Sequence, residues 1–283
     1  MNYVMGCIDG SRSAEAVCDY AAWASQRLNA PLRFLHVLDH PRSPARADLS
    51  GAIGLGSREQ LLEELASLDE QRGKLALEQG RLMLVAARER ATADGIARPE
   101  SCQRHGDLVE SLVELEPATR LLVIGQQGET GASLGQQVGR QLEWVIRTMH
   151  RPILVTPAEF TAPRSAMLAF DGSATTRKGV EMLAGSPLFK GLPIHLVMVG
   201  ASTGEAAAQL DRARGELERA GFTVPVAIRP GDVEPTLHAY QAEHGIDLLV
   251  MGAYGHSPLR TLIVGSTTAA MIRTVHVPVL LVR

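Results

Sequence analysis

The stretch Asp247-Leu-Leu-Val-Met-Gly252-Ala-Tyr-Gly255-His-Ser-Pro-Leu-Arg-Thr-Leu-Ile-Val-Gly265-Ser-Thr-Thr268 sets the reading of the whole chain. An apolar run from Asp247 to Met251 reads as a buried strand. Two glycines follow it, and Gly265-Ser266 then open a segment of helical character. Strand, glycine loop and helix N-terminus in that order form a seat for phosphate. Glycine lets backbone N–H groups come close to an anion, and a helix start offers unpaired donors at the positive end of its dipole. No Gly-Lys-Ser/Thr ends the run, so it is not a P-loop, and the glycine spacing is not that of the dinucleotide fingerprint.

Working outward, most of this pattern occurs twice. Met5-Gly-Cys-Ile-Asp9-Gly-Ser11 recurs as Met167-Leu-Ala-Phe-Asp171-Gly-Ser173, 162 positions on (171 − 9). Pro31–Val37 recurs as Pro193–Val199 at the same offset. Leu121-Leu-Val-Ile-Gly125-Gln-Gln-Gly128 matches Leu248-Leu-Val-Met-Gly252-Ala-Tyr-Gly255, 127 positions on (252 − 125), and Arg151-Pro152-Ile-Leu-Val155 matches Val277-Pro278-Val-Leu-Leu281. The order never changes, and the offset shrinks because the first copy carries extra residues between Val37 and Gly106. The expected division is 1–158 and 164–283, with Pro157 just before the join and Pro163 inside it.

In the second copy the expected strands are Ala166–Phe170, Ile194–Val199, Thr223–Arg229, Leu248–Met251 and Val279–Val282. Helices are expected over Thr175–Ala184, Glu205–Ala220, Pro235–His244 and Ser266–Arg273. Strands alternating with helices imply an α/β fold of two tandem, doubly wound, parallel five-stranded sheets. Such sheets bind ligands beyond the carboxyl ends of their strands, where strand order reverses. Asp171 and Gly252 would then line one crevice.

These residues resemble the universal stress protein family. The resemblance rests on the repeated Asp-Gly-Ser after the first strand, on Val199 ending the second, and on Gly252-x2-Gly255-x9-Gly265-Ser266. It covers nearly the whole chain as two fused copies, and its glycine spacing marks the family's ATP-binding branch. It implies a Rossmann-like, adenine nucleotide α-hydrolase-like fold, ATP as ligand with Mg2+ as its companion ion, and a role in stress response. It further implies that Asp171 and Val199 hold the adenine and ribose end, while Gly252, Gly255, Gly265, Ser266 and Thr267 wrap the phosphates. The terminal strands after Pro152 and Pro278 are expected to pair within the chain. Whether a homodimer or another protein partner exists stays open.

The Asp171-Gly-Ser173 turn has a plainer reading as a helix cap, since Asp and Ser are favoured there, and one turn can do both. The first copy departs from the pattern. Asp9, Val37, Gly125 and Gly128 persist, but Gly139 stands one position too far on and Arg140 replaces the serine. Gly131 and Gly135 add freedom to that loop. It reads as a degenerate site, because an anion cradle depends on the placement of successive N–H groups. The alternative is Arg140 meeting a phosphate as a fork of donors.

The segment 39–94 differs in kind. Pro41–Gly56 reads as a loop. From Arg58 to Arg90, leucines at helical spacing predict a long amphipathic helix, broken near Gly73 or Gly80, that covers the sheet or docks a partner. Asp107 and Asp232 read as helix caps.

Composition bounds the rest. With 283 residues, 45% hydrophobic but only 4% aromatic, the cores must be built from Val, Leu, Ile and Ala. A formal net charge of −3 gives no electrostatic case for nucleic acid or an anionic membrane. Cys7, Cys18 and Cys102 lack CxxC spacing, and the histidines lack metal-ligand spacing, so no metal site is expected. No leader pattern or membrane-length apolar run is present, and a cytoplasmic setting is the expectation. No catalytic base or carboxylate cluster stands out, so ATP turnover is expected to be slow or absent. The reading is a nucleotide-responsive regulator. Its rival is a nucleotide-independent interaction protein working through 39–94.

Overall fold

The computed structural model describes residues 2–38, 55–128, 140–253 and 266–283, with backbone alone for 55–63, 140 and 266. Five strands come from the first copy: β1 (Tyr3–Cys7), β2 (Leu32–Leu38), β3 (Glu100–His105), β4 (Thr119–Gly125) and β5 (Ile153–Thr156). Five come from the second: β6 (Ala166–Ala169), β7 (Ile194–Val199), β8 (Val226–Arg229), β9 (Leu249–Gly252) and β10 (Val279–Val282). The helices are α1 (Ala14–Leu28), α2 (Leu55–Ala93), α3 (Leu108–Leu115), α4 (Arg140–Thr148), α5 (Ala174–Gly185), α6 (Gly204–Arg219), α7 (Val233–His244) and α8 (Ser266–Thr274).

The expected two sheets are one. Strand order runs β3-β2-β1-β4-β5-β10-β9-β6-β7-β8, ten strands across. All neighbours are parallel except the central pair, where β5 and β10 run antiparallel with Leu280 opposite Leu154 and Leu281 opposite Ile153. These are the segments after Pro152 and Pro278. Pairing them removes the exposed edge that each half would otherwise present. Arg283 strengthens the seam by donating to the Met149 and Arg147 carbonyls at the end of α4, both at 2.6 Å. The connector between the copies is also packed down, with Phe160 edge-on to the buried ring of Tyr20 on α1.

Both faces of the sheet are covered at its centre, which is why the inner strands are apolar runs and not alternations, whereas the edge strands β3 and β8 are polar or half-exposed. One core gathers α1, α2, α5 and α6 over Val4, Leu121, Leu154, Leu168 and Leu280. The other gathers α3, α4, α7 and α8 over Met5, Leu122, Val155, Leu249 and Leu281. Successive strand residues point to opposite faces, so the same β4 feeds both cores.

Two further expectations change. The third strand of the second half is shorter than Thr223–Arg229, because Pro225 has no N–H to give the ladder. Thr223 and Pro225 still accept bonds from Ile194 and Leu196 through their carbonyls. The long helix is not broken at either glycine. Gly73 sits in open space, whereas a Cβ on Gly80 would fall 2.4 Å from Gln103 Nε2 and 2.5 Å from His36 Cδ2. Gly80 is where α2 comes down onto β2 and β3, and isolated glycines cost a helix only about 1 kcal/mol each. The stretch 39–54 lies outside the described residues.

One cluster predicts a pH response. His195 on β7 meets the Tyr240 hydroxyl through Nδ1 at 3.0 Å, and Tyr240 stacks on His244 with ring centroids 4.0 Å apart. Arg229 lies over the Tyr240 ring and pairs with Glu243. Burial, and then the neighbouring His244, hold His195 below the usual imidazole range. A histidine with a depressed folded pKa favours the neutral state on folding. Its contribution is therefore complete above the ordinary pKa, about 6.5, and declines as pH falls below that value. The melting temperature should fall more between pH 7.5 and pH 5.5 for the natural protein than for His195→Gln; equal losses would exclude the histidine as the source.

Candidate functional site

Three adjacent strand ends define the crevice. β7 and β9 flank β6, all parallel, so Val199, Asp171 and Gly252 emerge along one edge of the sheet. This is the point where the strand order of the second half reverses, as expected for a doubly wound sheet.

The Asp171-Gly-Ser173 turn divides its labour. Ser173 is the N-cap of α5, accepting the Thr176 N–H on its hydroxyl at 3.1 Å. Asp171 is exposed, and its Oδ1 accepts from the Ser173 N–H at 2.9 Å and the Thr176 hydroxyl at 2.8 Å. Gly172 turns with φ +73°, and a Cβ there would fall 2.0 Å from Gln209 Oε1 of α6. The cap and the outward carboxylate thus coexist in one turn. Thr176 and Gln209 were not singled out from sequence. A Ser-x-x-Thr spacing after the Asp could have flagged the first, but nothing local to Gln209 marks the second.

At the other wall, Gly252 ends β9. A Cβ on it would sit 3.1 Å from Thr175 Cγ2, so the strand end passes close to the start of α5. The first turn of α8 is tied to the same point, Thr268 donating to the Gly252 carbonyl at 3.2 Å. The α8 N-terminus, whose first N–H groups have no intrahelical partners, is therefore held at the crevice mouth. Thr267 is half-buried in that turn. Gly255, His256, Gly265 and the Ser266 side chain lie outside the described residues.

The first half brings Asp9, Gly125 and Gly128 together, but differently. Asp9 Oδ1 accepts from the Ser11 N–H at 3.0 Å, and a Cβ on Gly128 would lie 3.3 Å from Asp9 Oδ2. The residue matching Thr176 is Ala14 (9 + 5), which has no hydroxyl to offer. α1 begins five residues after Asp9 (14 − 9), whereas α5 begins three after Asp171 (174 − 171). Ser13, at the α1 cap, accepts no capping bond on its side chain. Gln126 turns away and donates to the Ile272 carbonyl of the other half. Val37 stands at the end of β2, half-buried; Gly139 and the Arg140 side chain lie outside the described residues.

The remaining chemistry is structural. Burial, reinforced by Asp9, raises the Cys7 thiol to about 12, and burial with Asp19 does the same for Cys18. Both stay protonated and inert. Asp107 caps α3, accepting from Val109 and Glu110, but Asp232 makes no cap bond at α7. Among the described residues no three His, Cys, Asp or Glu side chains converge as metal ligands, and no helix is long and apolar enough to cross a membrane.

Comparison with known proteins then decides the lineage. The model of the universal stress protein family matches residues 1–157 and 198–283. The chain belongs to that family. Universal stress protein Slr1230 of Synechocystis is 37% identical over 287 aligned residues that cover both chains completely. A universal stress protein structure from Archaeoglobus fulgidus superposes with a TM-score of 0.75 at 19% identity, covering all of this chain and 98% of that one. A putative universal stress protein from Pseudomonas aeruginosa gives 0.64 at 14% identity, covering all of this chain and 93% of the other. In this universal stress protein, then, two copies share one sheet while their crevices differ in detail.

Proposed function

We propose that this universal stress protein binds ATP in the crevice of its second half and acts as a nucleotide-responsive regulator. In this reading residues 1–158 and 164–283 are its two domains. Asp171 and Val199 hold the adenosine end, and Gly252, Gly255, Gly265, Ser266 and Thr267 hold the phosphates. The observation that carries the proposal is the Thr268–Gly252 bond. It fixes a helix N-terminus against a glycine strand end, on the strand beside the one that leads to an outward carboxylate. Backbone N–H groups at such a helix start stabilise phosphate charge, and Asp171 can accept from hydroxyls of a ribose. Mg2+ would be held by the phosphates themselves, given the lack of a protein ligand cluster among the described residues. The first half, lacking the Thr176 equivalent and the serine, has lost the site.

Freshly purified protein, denatured and analysed for small molecules, should release adenine nucleotide or should take up ATP in a titration. A clean preparation with no detectable titration would replace this reading with the nucleotide-independent one. Thr176→Val should weaken ATP about tenfold, the scale of one hydrogen bond to a charged group in a half-exposed site, about 1.4 kcal/mol. Unchanged affinity in a calorimetric titration would remove Thr176 from the positioning of Asp171.

A further inference from the structure

The two halves grip each other at the carboxyl ends of their last helices. α4 and α8 hold matching places, each leading into one of the two strands of the central pair. The last carbonyls of a helix have no partner within it and lie at the negative pole of its dipole, so that end takes a donor readily. Arg283, just past β10, donates to the Arg147 and Met149 carbonyls at the end of α4. Gln126, just past β4, donates through Nε2 to the Ile272 carbonyl at the end of α8.

The repeat does not account for these ties. Gln126 corresponds to Ala253 (126 + 127), and both make the same backbone bond: Gln126 N–H to the Thr156 carbonyl and Ala253 N–H to the Val282 carbonyl, each at 2.9 Å. Only the first copy carries a side chain there that can reach across. Arg283 in turn corresponds to Pro157 (283 − 126), which has no donor.

Gln126 therefore sits at a junction. Its backbone is fixed to the end of β5, in the Gly125-Gln-Gln-Gly128 loop that faces Asp9. Its side chain holds the far end of the helix whose first turn is bonded to Gly252 through Thr268. α8 has nine residues, about 14 Å at 1.5 Å per residue. Met271, Ile272 and Val275 pack it into the core, and Thr274 meets Glu234 and His238 of α7 at 3.1 and 2.7 Å. A helix this short moves as one rod, so a shift at its N-terminus arrives at Gln126. Beside the contact, a small cleft lined by Thr156, Val275 and Val277 leaves room for that shift. Helix shifts of about 1–2 Å are a common unit of switching.

We propose that Gln126 is a positioning residue for the crevice of the second half. By fixing the carboxyl end of α8, it couples the strand-end loop of the first half to the phosphate seat at the other end of that helix. The proposal rests on the reading of that crevice as the nucleotide site. Coupling is reciprocal, so an anion drawn to the α8 N-terminus is also felt in the first half.

Isothermal titration with ATP and hydrogen exchange over residues 119–128 test this on the full chain. Gln126→Met keeps the volume and removes the donor, while Gln126→His restores a donor at similar reach. The Met variant should weaken ATP about fivefold, the lower end of couplings between sites, and the His variant should recover most of the loss. In the natural protein ATP should slow exchange over 119–128, and in the Met variant that response should vanish. Unchanged affinity in the Met variant, a loss that the His variant fails to recover, or an exchange response that survives the Met variant would overturn the coupling. No uptake of ATP by the natural protein would overturn the nucleotide reading itself, and the coupling with it.

Discussion

Leu280→Ala will destabilise the entire protein, not the second half alone. Leu280 sits in the middle of β10, directly opposite Leu154 of β5, and both side chains are fully buried where the two halves meet. Truncating such a leucine costs about 2–5 kcal/mol, through lost burial plus the cavity left behind. The loss falls on a core shared by strands of both copies, since Leu154, Leu168 and Leu280 belong to one cluster. We expect a single cooperative transition at a lower denaturant midpoint, with fluorescence of Trp23 and Trp144, both in the first half, reporting the same midpoint as circular dichroism. Two separated transitions, the first half unaffected, would mean that the continuous sheet carries little coupling. Leu154→Ala should match it in size, and the double variant should cost less than the sum, because contacting residues share the cavity.

The second large effect concerns ligand. Replacing Gly265 with Val, together with Ser266 by Leu, should reduce ATP affinity at least a hundredfold, about 2.7 kcal/mol, while the melting temperature without nucleotide changes little. Branched side chains at these positions would block the close backbone approach that a phosphate needs and remove a hydroxyl donor at the helix start. The melting temperature should rise with ATP for the natural protein and not for the variant, because a ligand that binds only the folded state stabilises it by mass action. Unaltered ATP affinity in the variant would remove this loop from the site.

Much of this was readable in the chain. The repeat offsets located both halves, and the apolar runs located the strands of the second half to within a few residues, since strands buried on both faces leave continuous runs of Val, Leu and Ile. The pairing of β5 with β10 followed from the family resemblance, but the fusion of two sheets into one did not, because a hydrogen-bonded edge leaves no mark in a run that is already apolar. Gly80 was read as a break because propensity counts glycine against a helix; its use as a contact with His36 and Gln103 exists only in three dimensions. At the crevice, Asp171 and Gly252 announced themselves through turn chemistry. Thr176 and Gln209 did not, since a threonine one turn into a helix and a glutamine on the next helix look like any other surface residue until the turn brings them to the carboxylate. The contrast between Thr176 and Ala14 is the clearest trace of how the two copies diverged, and it lies outside the glycine spacing that first suggested it.

A single nucleotide site in a chain with two similar halves can be counted by isothermal titration with ATP, on protein freed of any bound nucleotide. One site per chain is expected, lost in Asp171→Ala and retained in Asp9→Ala. Two sites per chain, or a site lost with Asp9 and kept without Asp171, would refute the assignment.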